Sequence, residues 1–106
     1  MGNSGSFFKN PLISAEAFQE LQKDYPEMPH YKISENEFKI PAGWLIDRAG
    51  FKGFREGDAG VHKNQALVLV NYGAATGSEI LHLAQKIQIK IQSQFNIALA
   101  PEVNIF

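Results

Sequence analysis

Apolar residues along this chain recur with two periods, one near 3.6 and one near 2, and the changes between them mark out the elements. In "SAEAFQELQKDY", Ala17, Phe18, Leu21 and Tyr25 share one helical face. Ser14 precedes that face as an N-cap, and Glu16 lies where the helix dipole favours an anion. The pattern predicts a helix from Ala15 to about Asp24, ended by Pro26 and Pro29, with "YPEMPHYKI" as an extended connector. "EFKIP" reads as a short strand with Phe38 and Ile40 on one side. Pro41 suits the start of a second helix, "AGWLIDRAG", which buries Trp44, Leu45 and Ala49 and ends at Gly50.

From Phe51 to Gly60 the periodicity breaks. "FKGFREGDAG" carries three glycines, mixed charge and two aromatics, as a long functional loop or an irregular hairpin would. "QALVLVN" is a nearly continuous apolar run and predicts a central strand. After the loop "YGAATG", Thr76 and Glu79 form a T-x-x-E capping box. The helix it opens is expected to run from Gly77 to about Gln94, roughly 27 Å at 1.5 Å per residue. Its core stripe is Ile80, Ala84, Ile87 and Ile91. "FNIALAPEVNIF" closes the chain as two short β segments around Pro101. The class these elements predict is α+β, a small mixed β-sheet with about three helices packed on it.

Composition narrows the partners. The 106 residues suffice for one modest core, so residues 1–106 are expected to form a single domain. A formal charge of −1 gives no general attraction to nucleic acid or to an anionic membrane surface. With no cysteine, disulfides and thiolate metal sites are excluded. No apolar run approaches the roughly 18 residues of a spanning helix, and no signal-peptide layout opens the chain. These bounds predict a cytoplasmic protein with no nucleic-acid or membrane partner.

Few residues carry an obvious chemistry. His30, His62 and His82 lack metal-ligand spacing, so no metal is expected. The glycine-rich "GFKGFREGDAG" has neither a dinucleotide-binding G-x-G-x-x-G order nor a G-K-[ST] ending. It reads as a turn-rich connector, although Lys52 and Arg55 suit an anion. Ser6 sits between Gly5 and Phe7 in the opening "GNSGSFFKNP", with no histidine near in sequence to act as its base. That absence argues against a serine hydrolase. Glu102, in "APEVNIF", either faces solvent from an edge strand or is held in a cleft with a raised pKa.

Taken together, "GNSGSFFKNP", "KIPAGWLID", "FKGFREGDAGVHKNQALVLVN" and "PEVNIF" resemble the C-terminal third of the UDP-N-acetylenolpyruvoylglucosamine reductase (UDP-N-acetylmuramate dehydrogenase) family. The resemblance runs in order from Gly2 to Phe106. It implies a flavoenzyme of peptidoglycan precursor synthesis, and so a part in cell-wall biogenesis, cell shape and cell division. In that family NADPH reduces a bound FAD, and hydride then passes to the enolpyruvyl double bond of UDP-N-acetylglucosamine enolpyruvate. The resemblance implies that Ser6 protonates the carbon left as carbanion or enol, and that Glu102 assists near the substrate carboxylate. It likewise implies that Asn10 meets the diphosphate, and that Lys52 and Gln65 belong to the uridine-diphosphate surface.

The family's FAD is held by two preceding flavin-binding domains, and neither is within this sequence. The chain therefore reads as an isolated domain, an expressed fragment with Met1 added at a cut. It is expected to be inactive alone and to bind no FAD or NADPH itself. The alternative is a free-standing, non-catalytic module that binds a UDP-sugar or a protein. The opening loop, Gly2 to Phe7, is expected to be mobile without the flavin it would face.

Overall fold

The computed structural model describes residues 7–64 and 69–101. In chain order these form β1 (Leu12–Ser14), α1 (Ala15–Asp24), β2 (Tyr31–Ser34), β3 (Glu37–Lys39), α2 (Ala42–Arg48), β4 (Arg55–Glu56), β5 (Ala59–Val61), β6 (Leu69–Asn71) and α3 (Gly77–Phe95). The class is α+β, as the pattern predicts. The strands form two three-stranded sheets, ordered β1-β3-β2 and β4-β5-β6, and every described ladder is antiparallel. A single mixed sheet is therefore replaced by two small antiparallel ones. The connections explain this: short turns join neighbouring strands, whereas parallel strands require a long crossover.

The helices begin where the caps predict. Ser14 Oγ accepts from the Ala17 N–H at 3.1 Å. At α3, Thr76 Oγ1 accepts from the Glu79 N–H (3.1 Å) while Glu79 Oε1 accepts from the Thr76 N–H (2.8 Å). Two orphan donors of the first turn are thereby satisfied. α3 stops at Asn96, whose left-handed backbone (φ 58°) returns its N–H to the Gln92 carbonyl. α2 ends at Gly50, which takes φ 94° and lets the Phe51 N–H reach the Ile46 carbonyl at 3.1 Å.

Three readings needed the tertiary structure. The connector "YPEMPHYKI" ends in strand β2, which is exposed along its whole length and so shows no alternation. "QALVLVN" is described only from Leu69, where β6 pairs with β5 alone; the middle strand is β5, buried at all three residues. Residues 97–100 are extended without a ladder, and their continuation Pro101 forms an isolated antiparallel bridge with Phe8.

The core lies between α3 and the rest. Leu83, Ala84, Ile87, Ile91 and Phe95 of α3 are buried against Leu45 and Ile46 of α2 and Val61 of β5, with Ile80 half-buried at the stripe's start. Phe8 joins this core at 1% exposure. No described helix is long and apolar enough to cross a membrane.

Candidate functional site

The opening loop enters the fold at Phe8. The Phe8 ring is buried, Phe7 packs edge-on against it at 5.0 Å, and the Lys9 N–H donates to the Ala100 carbonyl at 2.8 Å. Gln88 Nε2 donates to the Leu99 carbonyl at 2.9 Å and so holds the other side of this pairing to α3. The bridge thus joins the chain two residues after Ser6 to the chain one residue before Glu102. Ser6, Glu102 and Gln65 themselves lie outside the described residues, as does the opening loop up to Ser6.

Asn10 is described, and its side chain has a definite partner. Its Oδ1 accepts from the Ala42 N–H at 2.8 Å. Pro41, the N-cap residue of α2, offers no side-chain acceptor, so a residue 32 positions earlier satisfies one of the helix's orphan donors. The neighbouring backbone is equally committed: Lys9 binds Ala100, and the Pro11 carbonyl accepts from Ile40 at 3.0 Å.

Lys52 stands at the opposite end of α2. It is exposed and lies 3.8 Å from Asp47 Oδ2, a loose ion pair of the kind that adds little stability. Seven helical residues separate the two ends by roughly 10 Å. Asn10 and Lys52 are therefore not brought to one point; a ligand touching both would have to be extended.

One group of residues escaped the pattern. In the first sheet, Leu12, Lys39 and Tyr31 form a cross-strand row. The adjacent row carries Phe38, which stacks on Phe18 of α1 at 4.2 Å, so the Lys39 row belongs to the sheet's outer face. Leu12 and Tyr31 are more than half exposed there. The row ends beside Asn10, which puts an ammonium, a phenol and a carboxamide at one edge of the fold. Its signal in the sequence was the period-2 alternation of "EFK", too short to show which face lacks cover.

The glycine-rich stretch is a hairpin, β4 to β5. Arg55, read as a possible anion contact, instead closes the turn: its Nε donates to the Gly57 carbonyl (2.7 Å) and its Nη2 to Asp58 (3.0 Å), and its guanidinium lies 4.0 Å from the Tyr72 ring centre. Gly60 is required by that packing, since a Cβ there would stand 2.8 Å from Tyr72 Cε2 and 3.1 Å from the Phe54 carbonyl. Asp58 Oδ2 accepts from the Ala74 N–H, tying the hairpin to the loop before α3.

The hairpin's other acid, Glu56, accepts a hydrogen bond from Lys86 of α3, and this bond holds its pKa below the usual carboxylate value. The pair therefore adds stability above the ordinary carboxylate range and loses it as pH falls through the lowered value. Lys86→Met is expected to move the Glu56 titration upward, toward the usual value, in a carboxyl NMR titration. An unchanged midpoint would show that Lys86 does not set it.

The histidines are scattered: His30 packs on Phe18 at 4.5 Å, His62 Nδ1 accepts from the Asn64 N–H, and His82 is exposed on α3. Among the described residues no three potential ligands gather round a metal-sized space. The flavin implied by the resemblance does not fit the described residues either. An open groove of about 450 Å³ runs between α3 and the closing segment, lined by Gln88, Ile89, Gln92, Ser93, Ala98 and Leu99. Its lining has no cation and no glycine-rich turn to hold a pyrophosphate.

With this geometry in hand, comparison with known proteins is informative. Residues 1–106 match the family model for the UDP-N-acetylenolpyruvoylglucosamine reductase C-terminal domain. The chain is 58% identical over 105 residues to the UDP-N-acetylenolpyruvoylglucosamine reductase of Flavobacterium johnsoniae, covering 99% of this chain and 31% of that protein. It is 57% identical over 104 residues to the enzyme of that name from Pseudomonas fluorescens, covering 98% of this chain and 31% of the other. The corresponding protein of Bacteroides fragilis is 49% identical over 104 residues, again with 98% and 31% covered. The chain spans about a third of the length of these curated relatives.

Proposed function

Because the chain belongs to the UDP-N-acetylenolpyruvoylglucosamine reductase C-terminal domain family, we propose that it is the substrate-binding and proton-donating part of such a reductase. Its substrate is UDP-N-acetylglucosamine enolpyruvate, reduced to UDP-N-acetylmuramate in peptidoglycan precursor synthesis. FAD and NADPH supply the electrons and are held by the rest of the longer polypeptide, in keeping with the poor fit of a flavin to the described residues. The setting is the cytoplasm, where nucleotide-sugar precursors are made.

The observation that carries this reading is the Phe8–Pro101 bridge. It fastens the loop that leads from Ser6 to the segment that leads to Glu102, so a hydroxyl and a carboxyl from opposite ends of the sequence are delivered to one edge of the fold. A serine hydroxyl is a weak acid in water, but a carbanion beside the substrate carboxylate is a far stronger base than an alkoxide. Ser6 can therefore give up its proton without a histidine partner, provided it lies within hydrogen-bond reach of that carbon. A neutral, protonated Glu102 would orient the substrate carboxylate by donating to it. Asn10 offers a neutral donor to the diphosphate and Lys52 a charge. Lys39 and Tyr31, beside Asn10 on the outer sheet face, extend the same polar edge.

Titrating the 106-residue chain with UDP-N-acetylglucosamine, followed by backbone NMR, tests the binding half of this reading. Shifts are expected at Asn10, Lys52, Gln65 and the Lys39–Tyr31 row. Shifts confined to the α3 groove, or none at millimolar ligand, would leave this domain without the substrate surface assigned to it.

A further inference from the structure

The Asn10 carboxamide makes two different demands on its two ends. A backbone N–H can only donate, so the 2.8 Å contact with Ala42 requires the oxygen of the amide, not its nitrogen, to face α2. The backbone on both sides is tied down by Lys9–Ala100 and Pro11–Ile40, which leaves the side chain little freedom to turn over. From this the geometry points to Asn10 as a specificity-determining residue whose polarity is set by α2. With Oδ1 engaged by the helix, only the Nδ2 hydrogens face outward, so the position accepts hydrogen-bond acceptors and refuses donors.

The inference rests on the proposed meeting of Asn10 with the diphosphate and adds what makes that contact selective. A freely rotating carboxamide would serve donors and acceptors equally, by exchanging its two ends. A phosphate oxygen drawing on Nδ2 also polarises the amide and strengthens the Oδ1 contact to Ala42, so ligand binding and the start of α2 support one another.

Asn10→Asp and Asn10→Ala separate the two roles in the full-length reductase. Aspartate keeps an oxygen for Ala42 but loses the outward donor and places a negative charge toward the diphosphate; alanine loses both ends. Hydrogen exchange across the α2 peptide is therefore expected to rank wild type with Asn10→Asp, and Asn10→Ala as less protected. KM for UDP-N-acetylglucosamine enolpyruvate is expected to rank the other way. It should rise about tenfold in Asn10→Ala and about a hundredfold in Asn10→Asp, since loss of a charge-assisted bond and gain of repulsion each cost about one decade.

Opposite rankings in the two measurements are the signature, because a residue that only capped the helix would make alanine the worse variant in both. If Asn10→Ala leaves α2 exchange unchanged, the helix does not set the amide and the inference fails, although the diphosphate contact stands. If KM stays at the wild-type value in both variants while α2 loosens in Asn10→Ala, the diphosphate contact itself is wrong.

Discussion

Ser6→Ala in the full-length reductase is expected to slow formation of UDP-N-acetylmuramate by about 10²–10⁴-fold, the usual contribution of a positioned general acid. Reduction of the enzyme by NADPH should keep its wild-type rate, because that half-reaction needs no proton at the substrate carbon. Stopped-flow absorbance separates the two half-reactions in one experiment. The physical reason is local. After hydride addition the negative charge rests on carbon and is shared with the neighbouring carboxylate, and only a donor within hydrogen-bond reach can quench it before the charge returns. Removing the hydroxyl deletes that proton and leaves the loop's other contacts, from Phe8 onward, as they are. Normal turnover in Ser6→Ala would mean that another group, or water, supplies the proton.

Phe8→Ala is expected to have the largest effect on stability. The side chain is 1% exposed, belongs to the main core and sits in the bridge to Pro101. Truncating a buried phenylalanine costs about 3–5 kcal/mol, a large share of the roughly 5–15 kcal/mol that holds a domain together. For a domain of this size the thermal midpoint should fall by about 10 °C or more. The functional consequence follows from position. Phe8 anchors the loop two residues after Ser6, so a variant that still folds at low temperature is expected to lose turnover as well. Calorimetry on the 106-residue chain checks the first effect. A midpoint within about 2 °C of wild type would show that Phe8 contributes far less than a buried aromatic should.

Local elements were legible because they are written in local signals. α1 matches its predicted bounds, Ala15 to Asp24, because Ser14 and the apolar face act within four residues of each other. α3 ends one residue beyond its expected end, since Asn96 supplies the left-handed cap that a glycine usually provides. β2 was missed because a strand exposed throughout has no buried face to set a period. The middle strand was assigned to "QALVLVN" because a three-residue buried strand containing glycine, Ala59–Val61, is too short and too small to show one. The candidate site divides in the same way. Asn10 and Lys52 stood out through motif resemblance, but their placement at opposite ends of α2 did not. The row of Leu12, Lys39 and Tyr31 drew no notice, because exposure on a sheet face depends on what packs against the other side.

The sequence by itself determined the three helices with their caps, the α+β class and, through four ordered motifs, the family to which the chain belongs. These rest on periodicity, on contacts between near neighbours and on motif identity, all of which survive in one dimension. Only the tertiary structure decided that the strands divide into two antiparallel sheets, that Phe8 meets Pro101, and that Asn10 caps a helix 32 residues away. Each of these pairs residues whose individual preferences say nothing of one another. Backbone donors and acceptors in a folded chain must find partners, and which partner lies within 3 Å is settled by how the core closes rather than by the residues in between.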